Sequence, residues 1–561
     1  MKNCKNCTSP FEVTESDRAF YDKVSPIIAG KKYRIPEPTL CPNCRQQRRG
    51  NFRNERNLYH RKCDLSGKQM ISTFHRGTAF PVYHILEWTS DKWDPLDYGR
   101  DFDFSRPFFE QFYELSQAVP RYNLFVDPTL DENSEFTNCA SESRNCYLIF
   151  QAEKNEDCYY ARGINRSKNC VDCLRVSECE QCYECIDTNV CFSCTYCQDC
   201  DHCSNCHFST DLRGCRNCFG CHGLRNKEYH LFNQPLSKEE WIRKVSEIMK
   251  DPKKRAAAIQ KSEQTRLSVP KKAVQMTNCE KGSGDYLINC KNVKGCFESK
   301  DLEDCAYCYE IGNGAKDCYD FTAWGINTQL IYEGMGIGYN VFHTLFSVHC
   351  WQNVSNVLYS QDCFPSVSNL FGCIGIRRNE YCILNKKYSR EDYEALVPKI
   401  IDHMKKADEW GEFFPIEISP YGYNETIAQD HFPLTKEAVI NNGWKWYEEE
   451  PSEQSYRGPQ ANLTENIYQV DESICKKILT CDVTGKPYKI IPQELNFYKK
   501  MGIPIPKKIV ATTPHGTDAK RNPRILFDRT CAECQKPIQT TYAPDRPEKV
   551  LCENCYLKQV Y

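Results

Sequence analysis

Cysteine pairs with the spacing of metal ligands stand at both ends of this 561-residue chain. Each CxxC turn places two thiolates on one side of the backbone, and two such turns complete the tetrahedral shell of a structural Zn²⁺. We therefore predict about two structural zinc sites, with Zn²⁺ as the cofactor. The predicted ligands are Cys4, Cys7, Cys41 and Cys44 near the N-terminus, and Cys531, Cys534, Cys552 and Cys555 near the C-terminus.

A second cysteine pattern is periodic and lies between residues 146 and 230. The residue after each cysteine of the main column is mostly aromatic or β-branched, which favours short strands. Repeats this short are typical of stacked β-coils, because helical repeats need longer units. The spacing leaves open whether twelve residues form a whole coil or half of a two-faced coil. Steps of twelve from Cys146 reach Cys158, Cys170, Cys182, Cys194, Cys206, Cys218 and finally His230.

The periodic thiols have two interpretations. Free cysteine is among the residues most often buried, so the thiols are expected to fill an apolar core. The alternative is additional metal binding, although deprotonating stacked thiols in an apolar interior is costly without a balancing cation. The candidates for additional metal binding are Cys179, Cys182, Cys191, Cys194, Cys203, Cys206, Cys215 and Cys218.

The periodic region occurs twice. FGCHGLRNKEYHLFNQPLSKEEW, from Phe219, matches FGCIGIRRNEYCILNKKYSREDY, from Phe371. In the second copy, steps of twelve backward from Cys382 reach Leu370, Leu358 and Phe346, so the period is expected to continue with ordinary apolar residues. Because the second copy dispenses with most of the thiols, core filling is the favoured role for those of the first.

The two ends of the chain are also related. An offset of 477 matches FEVTESDRAFYDK, residues 11–23, with YKIIPQELNFYKK, residues 488–500, and an offset of 468 matches the segments that end at Cys63 and Cys531. Each copy has lost one site. The C-terminal copy has Thr484 where the N-terminal copy has Cys7, and it lacks the CPNC pair. The N-terminal copy has a poor zinc shell at the other site, composed of Cys63, Ser66, His84 and Glu87.

The segment TCAECQKPIQTTYAPDRPEKVLCENCY resembles the small CxxC-x17-CxxC zinc-ribbon domain of bacterial and archaeal proteins. Most of the chain, including SPYGYNETIAQDHFPLTKE at residues 419–437, is similar to uncharacterised cysteine-rich proteins of candidate-phyla bacteria. The ribbon resemblance implies zinc ligands at the four C-terminal cysteines. Neither resemblance implies a substrate.

An arginine-rich segment at residues 45–62 follows the CPNC pair. Phe52 and Tyr59 are interleaved with its cations, which suits a surface that follows phosphates and stacks on bases. We predict nucleic-acid binding here, with RNA ahead of DNA by analogy with other zinc-ribbon proteins. The alternatives are a solvated helix that packs its aromatic residues inward and an acidic protein partner. The basic residues are Arg45, Arg48, Arg49, Arg53, Arg56, Arg61 and Lys62.

The elements that position these residues are predicted to be mostly β. We expect two tandem β-solenoid (β-helix-like) domains with a 12-residue period, each followed by a helix and flanked by N- and C-terminal zinc-ribbon modules. The predicted segments are an N-terminal ribbon module with a degenerate second ribbon (1–95), a helical aromatic cap (96–133), a Cys-rich β-solenoid (134–235), a helix and basic linker (236–272), a second β-solenoid (273–386), a helix (387–407), an extended wrapping segment (408–470) and a C-terminal ribbon module (471–561).

Composition limits the class of protein. The net charge of −2 excludes a protein that is basic overall, and the sequence contains no apolar run long enough to span a membrane. The start, MKNCKNC, lacks the apolar region of a signal peptide, so we predict a cytoplasmic protein with no membrane partner. In a reducing compartment the 38 cysteines are expected as zinc ligands and free thiols rather than disulfides.

No catalytic motif is recognisable. The sequence has no Gly-rich phosphate loop, HExxH or GxSxG, and His207 occupies a packed side-chain column beside Cys206. We therefore predict a non-enzymatic zinc-binding scaffold that binds nucleic acid. The alternatives are a protein-interaction scaffold that uses the solenoid faces, and a metal-handling or redox protein that uses the periodic cysteines. The sequence leaves the oligomeric state open.

Overall fold

The computed structural model describes residues 1–448, 459–461, 463–464, 466–482, 485, 487–507 and 520–561. The protein is mostly β, with 32% strand and 24% helix, and large parallel sheets dominate it. Within these described ranges, no helix has both the length and the apolar character needed to cross a bilayer.

The N-terminal segment consists of short hairpins and helices. Helix α1 begins at a capping box, in which Thr14 accepts from the Asp17 backbone while the Asp17 side chain accepts from Thr14. The elements are β1 (Lys2–Asn3), β2 (Pro10–Phe11), α1 (Glu15–Val24), β3 (Ile27–Ile28), β4 (Lys31–Lys32), α2 (Pro42–Gly50), β5 (Tyr59–Lys62), β6 (Gln69–Ser72), β7 (Val82–Tyr83), α3 (Ile85–Trp88), α4 (Phe108–Ala118) and β8 (Arg121–Tyr122).

A first parallel ladder follows, with β19 closing it as an antiparallel edge. Partners lie twelve residues apart, as in Cys170 with Cys182 and Cys206 with Cys218. A positive φ recurs at every third residue, for example at Asp172 and Arg175, so the chain turns after every three residues. The strands are β9 (Asn138–Arg144), β10 (Tyr147–Glu156), β11 (Tyr159–Arg162), β12 (Lys168–Val171), β13 (Leu174–Ser177), β14 (Glu180–Tyr183), β15 (Ile186–Asn189), β16 (Ser204–His207), β17 (Arg216–Phe219), β18 (Glu228–Leu231) and β19 (Gln234–Pro235).

Two helices and a short strand lead to a second ladder, which a further helix follows. These elements are α5 (Lys238–Lys250), α6 (Pro252–Ser268), β20 (Lys271–Lys272), β21 (Met276–Thr277), β22 (Glu280–Ile288), β23 (Lys291–Lys300), β24 (Leu302–Ala306), β25 (Asn313–Tyr319), β26 (Gly325–Tyr332), β27 (Gly338–Leu345), β28 (Gln352–Leu358), β29 (Val367–Phe371), β30 (Glu380–Ile383), β31 (Lys386–Lys387) and α7 (Arg390–Lys406).

The register of the second ladder differs from the expected one. Cys382 pairs with Leu370 twelve residues earlier, but Leu370 pairs with Val357 thirteen residues earlier, so the expected column through Leu358 and Phe346 is wrong. The offset of thirteen holds from β24 to β29. The cause is one longer interval in each repeat, because successive positive-φ residues are four apart once per repeat, as from Ala323 to Asn327.

The remaining elements complete two compact units, each built from two separate stretches of chain. Unit N comprises Met1–Asn123 and Val274–Tyr447, and unit C comprises Leu124–Ala273 and Glu448–Tyr561. The N-terminal segment therefore shares a unit with the second ladder, and the C-terminal segment with the first. The remaining elements are α8 (Ile427–His431), α9 (Lys436–Asn441), β32 (Leu479–Thr480), β33 (Pro487–Tyr488), α10 (Pro492–Met501), β34 (Phe527–Thr530), β35 (Pro537–Thr540), β36 (Val550–Leu551) and α11 (Glu553–Val560).

Candidate metal centres

The first N-terminal cysteine pair lies on a tight turn beside the β1–β2 hairpin. Thr8 has a φ of 61° and donates its backbone N–H to the Cys4 carbonyl at 3.0 Å, while the Cys4 N–H donates to the Ser9 carbonyl at 3.0 Å. These bonds turn both thiols of the pair toward the second pair. The Cys7 and Cys41 sulfurs are 3.7 Å apart.

The second pair opens helix α2. Cys41 is the N-cap, Pro42 follows it, and the Cys41 N–H donates to the Cys4 sulfur at 3.3 Å. The positive end of a helix favours thiolates at such positions. The pKa of Cys41 is lowered to about 5, chiefly because the Cys44 thiol donates to it. The Asn6 amide also donates to the Cys44 sulfur, at 3.4 Å.

The C-terminal centre repeats this geometry. Gln535 has a φ of 58° and donates to the Cys531 carbonyl at 3.0 Å. Cys552 is the N-cap of α11 and donates its N–H to the Cys531 sulfur at 3.3 Å. The Cys534 and Cys552 sulfurs are 3.7 Å apart, as are their counterparts at the other end of the chain. The same backbone arrangement thus brings four sulfurs together in each unit.

Both groups fit a metal of tetrahedral preference. In each group the four sulfurs lie within 4.8 Å of one another. Four sulfurs about 2.3 Å from a zinc ion stand roughly 3.8 Å apart, close to the observed 3.7 Å. Across the described ranges, these are the two sets of His, Cys, Asp or Glu side chains that meet this criterion.

The degenerate N-terminal site keeps the turns and loses the ligands. Gly67 donates to the Cys63 carbonyl at 2.8 Å, and the His84 N–H donates to the Cys63 sulfur at 3.3 Å, as in the complete sites. The Cys63 thiol donates to the Glu87 carboxylate at 2.7 Å, and this bond lowers the pKa of Glu87. A hydrogen bond therefore connects two ligand positions directly. In the C-terminal copy, Thr484 lies outside the described residues.

The periodic thiols of the first ladder point into its core. Each of the described column cysteines is buried, and its sulfur lies near backbone carbonyls and neighbouring thiols, as Cys182 shows. The Cys182 sulfur lies 3.6 Å from the Glu180 carbonyl and 3.7 Å from the Cys191 carbonyl, either of which can accept its single S–H. The eight candidates for additional metal binding belong to no group that meets the metal criterion in the described part of the chain.

The arginine-rich segment is placed differently from the expected surface. The side chains of Arg45, Arg48 and Arg49 are at most 10% exposed. Of the seven residues predicted to bind nucleic acid, Lys62 alone is exposed. Neither a phosphate-facing surface nor a solvated helix describes this arrangement. The guanidinium groups, as well as Phe52, pack inward.

These arginines form ion pairs with carboxylates of the second ladder and of the segment that follows it. Arg45 Nε donates to Asp320 at 2.7 Å, and Arg48 donates to Glu333 at 2.7 Å and to Glu412 at 2.9 Å. Arg49, which is fully buried, lies 3.6 Å from both Asp320 and Glu333. The remaining arginines are also paired: Arg53 with Glu55, Arg56 with Asp430, and Arg61 with Asp64.

Sequence reasoning missed the acidic partners Asp320 and Glu333. Both follow a tyrosine and both have a positive φ, of 64° and 46°, so they occupy successive corners of the ladder. Aligning the two ladders with a period of thirteen in the second would have placed these acids opposite Asp172 and Glu184 of the first.

His207 is a packed side chain. Its Nδ1 lies 2.9 Å from the Thr195 hydroxyl and its Nε2 lies 3.0 Å from the side-chain amide oxygen Oδ1 of Asn205. Burial lowers its pKa. Both ring nitrogens are thus engaged by neighbours on the ladder.

Comparisons with known proteins identify no family. No family model matches the chain, and no curated protein matches it. Among solved structures, a chain provisionally described as an acetyltransferase from Desulfovibrio desulfuricans G20 is 9% identical, with 49% of this chain and 80% of that chain covered and a TM-score of 0.10. At that score the likeness carries no argument.

Proposed function

We propose that the protein is a non-enzymatic scaffold whose two units are each stabilised by one Zn²⁺ ion. The supporting observation is the repeated four-sulfur geometry, with a 3.7 Å sulfur–sulfur contact in both groups. Cys4, Cys7, Cys41 and Cys44 would hold one ion, and Cys531, Cys534, Cys552 and Cys555 the other. Thiolate-only shells without an open position serve structure rather than catalysis.

We also infer that each parallel ladder is a β-solenoid. Offsets of twelve or thirteen residues, with a turn at nearly every third residue, support coils of four short sides. Such a coil exposes side chains in columns along its faces, which is how solenoid proteins bind partners. Exposed aromatic residues on the ladders, Phe192 and Phe342 among them, support this use of the faces.

A protein partner is favoured over nucleic acid by the pairing of the arginines. A phosphate that bound Arg45 or Arg48 would have to displace a buried carboxylate and leave it unpaired, at a cost of several kcal/mol. Nucleic-acid binding by residues 45–62 stays a prediction. It is tested with purified protein and mixed RNA. A salt-dependent shift that is lost in Lys62→Glu with Arg56→Gln would support nucleic-acid binding, and no shift favours the protein-binding scaffold.

Metal handling or redox buffering by the periodic cysteines is the remaining alternative. It requires more metal ions per chain than the two four-sulfur groups can hold, or reversible oxidation of buried thiols. The carbonyl hydrogen bonds of those thiols favour a structural role instead. The number of metal ions per chain, measured by elemental analysis, therefore separates the scaffold from this alternative.

A further inference from the structure

The two ladders carry an acidic pair at equivalent corners. Paired residues lead back from Phe371 through Leu358, Leu345 and Tyr332 to Tyr319 in the second ladder. The same steps lead from Phe219 through His207, Thr195 and Tyr183 to Val171 in the first. The acidic residues come directly after the last two members of each column. They are Asp320 and Glu333 in the second ladder and Asp172 and Glu184 in the first, and all four have a positive φ.

The terminal modules dock beside these pairs in matching ways. In unit N, the Phe20 ring of α1 stacks on Tyr319 with centroids 3.6 Å apart, and Tyr21 lies 5.2 Å from Tyr332. In unit C, Phe497 and Tyr498 of α10 lie 6.2 Å and 5.8 Å from Tyr183. Each acidic pair therefore lies beside an equivalent helix of the terminal module in its own unit.

The charges around the two pairs differ. In unit N, helix α2 supplies Arg45, Arg48 and Arg49 to the acidic pair. In unit C, the described cation at the corresponding pair is Lys520, whose ammonium lies 2.6 Å from Glu184 and whose side chain is 45% exposed. Asp172 is only 3% exposed, and its Oδ2 has no hydrogen-bond partner.

We propose that Asp172 and Glu184 form a binding site for the arginine side chains of a partner polypeptide. This inference rests on the proposed scaffold function and adds the chemistry of the partner, a helical segment with the pattern Arg-x-x-Arg-Arg. Helix α2 presents this pattern to the equivalent pair, with arginines at positions 45, 48 and 49. The partner would displace the exposed Lys520 side chain.

The chemistry of the pair favours a guanidinium group. Stacked carboxylates on successive corners match its planar fork of donors, which one ammonium cannot bridge equally well. Burial raises the pKa of Asp172, and the nearby Glu184 and Glu494 carboxyls raise it further. A cation delivered to Asp172 would reverse that penalty, as an opposite charge favours the ionised carboxylate.

The test uses the full-length zinc-loaded protein and a fluorescent peptide of residues 41–55 with serine at both cysteine positions. We expect saturable binding by anisotropy, at least tenfold weaker in Asp172→Asn with Glu184→Gln. The matched control, Glu178→Gln with Glu180→Gln, removes two exposed carboxylates from the same ladder and should bind as the parent does. Lys520→Ala should bind several-fold more tightly, because it removes a competing ammonium.

A peptide with citrulline at positions 45, 48 and 49 should not bind. The proposal is overturned if the parent protein does not bind the arginine peptide, if citrulline or lysine peptides bind equally well, or if the Asp172 and Glu184 variant binds unchanged. If that variant does not fold, Lys520→Ala decides, since unchanged affinity there contradicts the site. Failure of peptide binding with two zinc ions per chain overturns this site alone; a different metal content overturns the scaffold proposal.

Discussion

At the scale of single residues, buried arginines join the N-terminal module to the second ladder of unit N by ion pairs. Arg45 and Asp320 are separated by 275 positions in the chain, and both side chains are at most 2% exposed. Removing one partner of such a pair leaves a buried charge uncompensated.

Arg45→Met should therefore destabilise unit N by about 3–5 kcal/mol, measured by urea unfolding. The double variant with Asp320→Leu should recover much of this loss, because it removes the orphaned carboxylate. Lys62→Met, at an exposed position, is the control and should change the unfolding free energy by less than about 0.5 kcal/mol. Equal effects of the Arg45 and Lys62 changes would contradict the burial of this segment.

Glu494 makes unit C sensitive to pH. Burial raises its pKa to about 7, against roughly 4.3 in an unfolded chain. The folded state thus holds the proton more tightly, so its stabilising contribution is complete below pH 4.3 or so and is lost as pH rises through about 7. Tyr160 and Tyr498 donate to this carboxyl, and Asp172 lies nearby.

Between pH 5 and pH 8 we expect ionisation of this residue to lower the unfolding free energy of unit C by roughly 2.5 kcal/mol. Glu494→Gln should remove that part of the pH dependence, as measured by urea unfolding of both proteins at the two pH values. Glu425, whose pKa burial raises to about 7, titrates in both proteins and cancels in the comparison. An unchanged pH dependence would show that Glu494 is ionised throughout.

At the scale of elements, glycines allow successive strands of the second ladder to approach closely. Gly338 opens β27 with a φ of 104°, and a Cβ there would lie 1.9 Å from the Trp351 carbonyl oxygen. Gly338→Ala should destabilise the second ladder by about 2 kcal/mol or more, because backbone on the next coil has to move. Gly312→Ala is the matched control, since its Cβ would meet open space. Thermal unfolding compares the two, and equal midpoints would contradict the close approach of β27 to Trp351.

The register of the ladders shows what the sequence could and could not predict. In the first ladder a thiol marks nearly every repeat, so the twelve-residue offset of Cys170 and Cys182 was visible. In the second, Val357, Thr344 and Ile331 replace the thiols in the column. Any apolar residue satisfies such a position, so the extra residue per repeat left only isolated marks, the thirteen-residue spacings of Cys305 with Cys318 and of Cys350 with Cys363. The metal centres were predictable because their ligands lie on short turns.

At the scale of the whole molecule, each terminal module shares a unit with the ladder that is farther from it in sequence. The N-terminal module lies in the unit of the second ladder, and the C-terminal module in that of the first. Sequence reasoning predicted the modules and missed this assignment, since ion pairs such as Arg48 with Glu333 join residues 285 positions apart. No local pattern encodes a partner at that separation.

Loss of one metal centre should consequently destabilise segments of the same unit that are distant in sequence. Cys7→Ser should increase hydrogen exchange in helix α2 and in strands β25 and β26, and leave strands β10 to β17 unchanged. Cys534→Ser should instead act within unit C and increase exchange in residues 527–560 and in β20. Mass spectrometry of both variants measures this, and Cys182→Ala is the control for loss of a thiol alone. Increased exchange in the ladder nearest in sequence would contradict the two units.

The most direct test of the scaffold proposal is the metal content per chain, by elemental analysis of protein purified anaerobically, together with its ultraviolet–visible spectrum. We expect about two zinc ions and no visible absorbance, since two groups of four sulfurs in the described chain meet the geometric requirement. Cys7→Ser and Cys534→Ser should each lose one ion. Four or more metals, or iron with charge-transfer bands, would contradict a core of inert thiols and make metal chemistry the leading function.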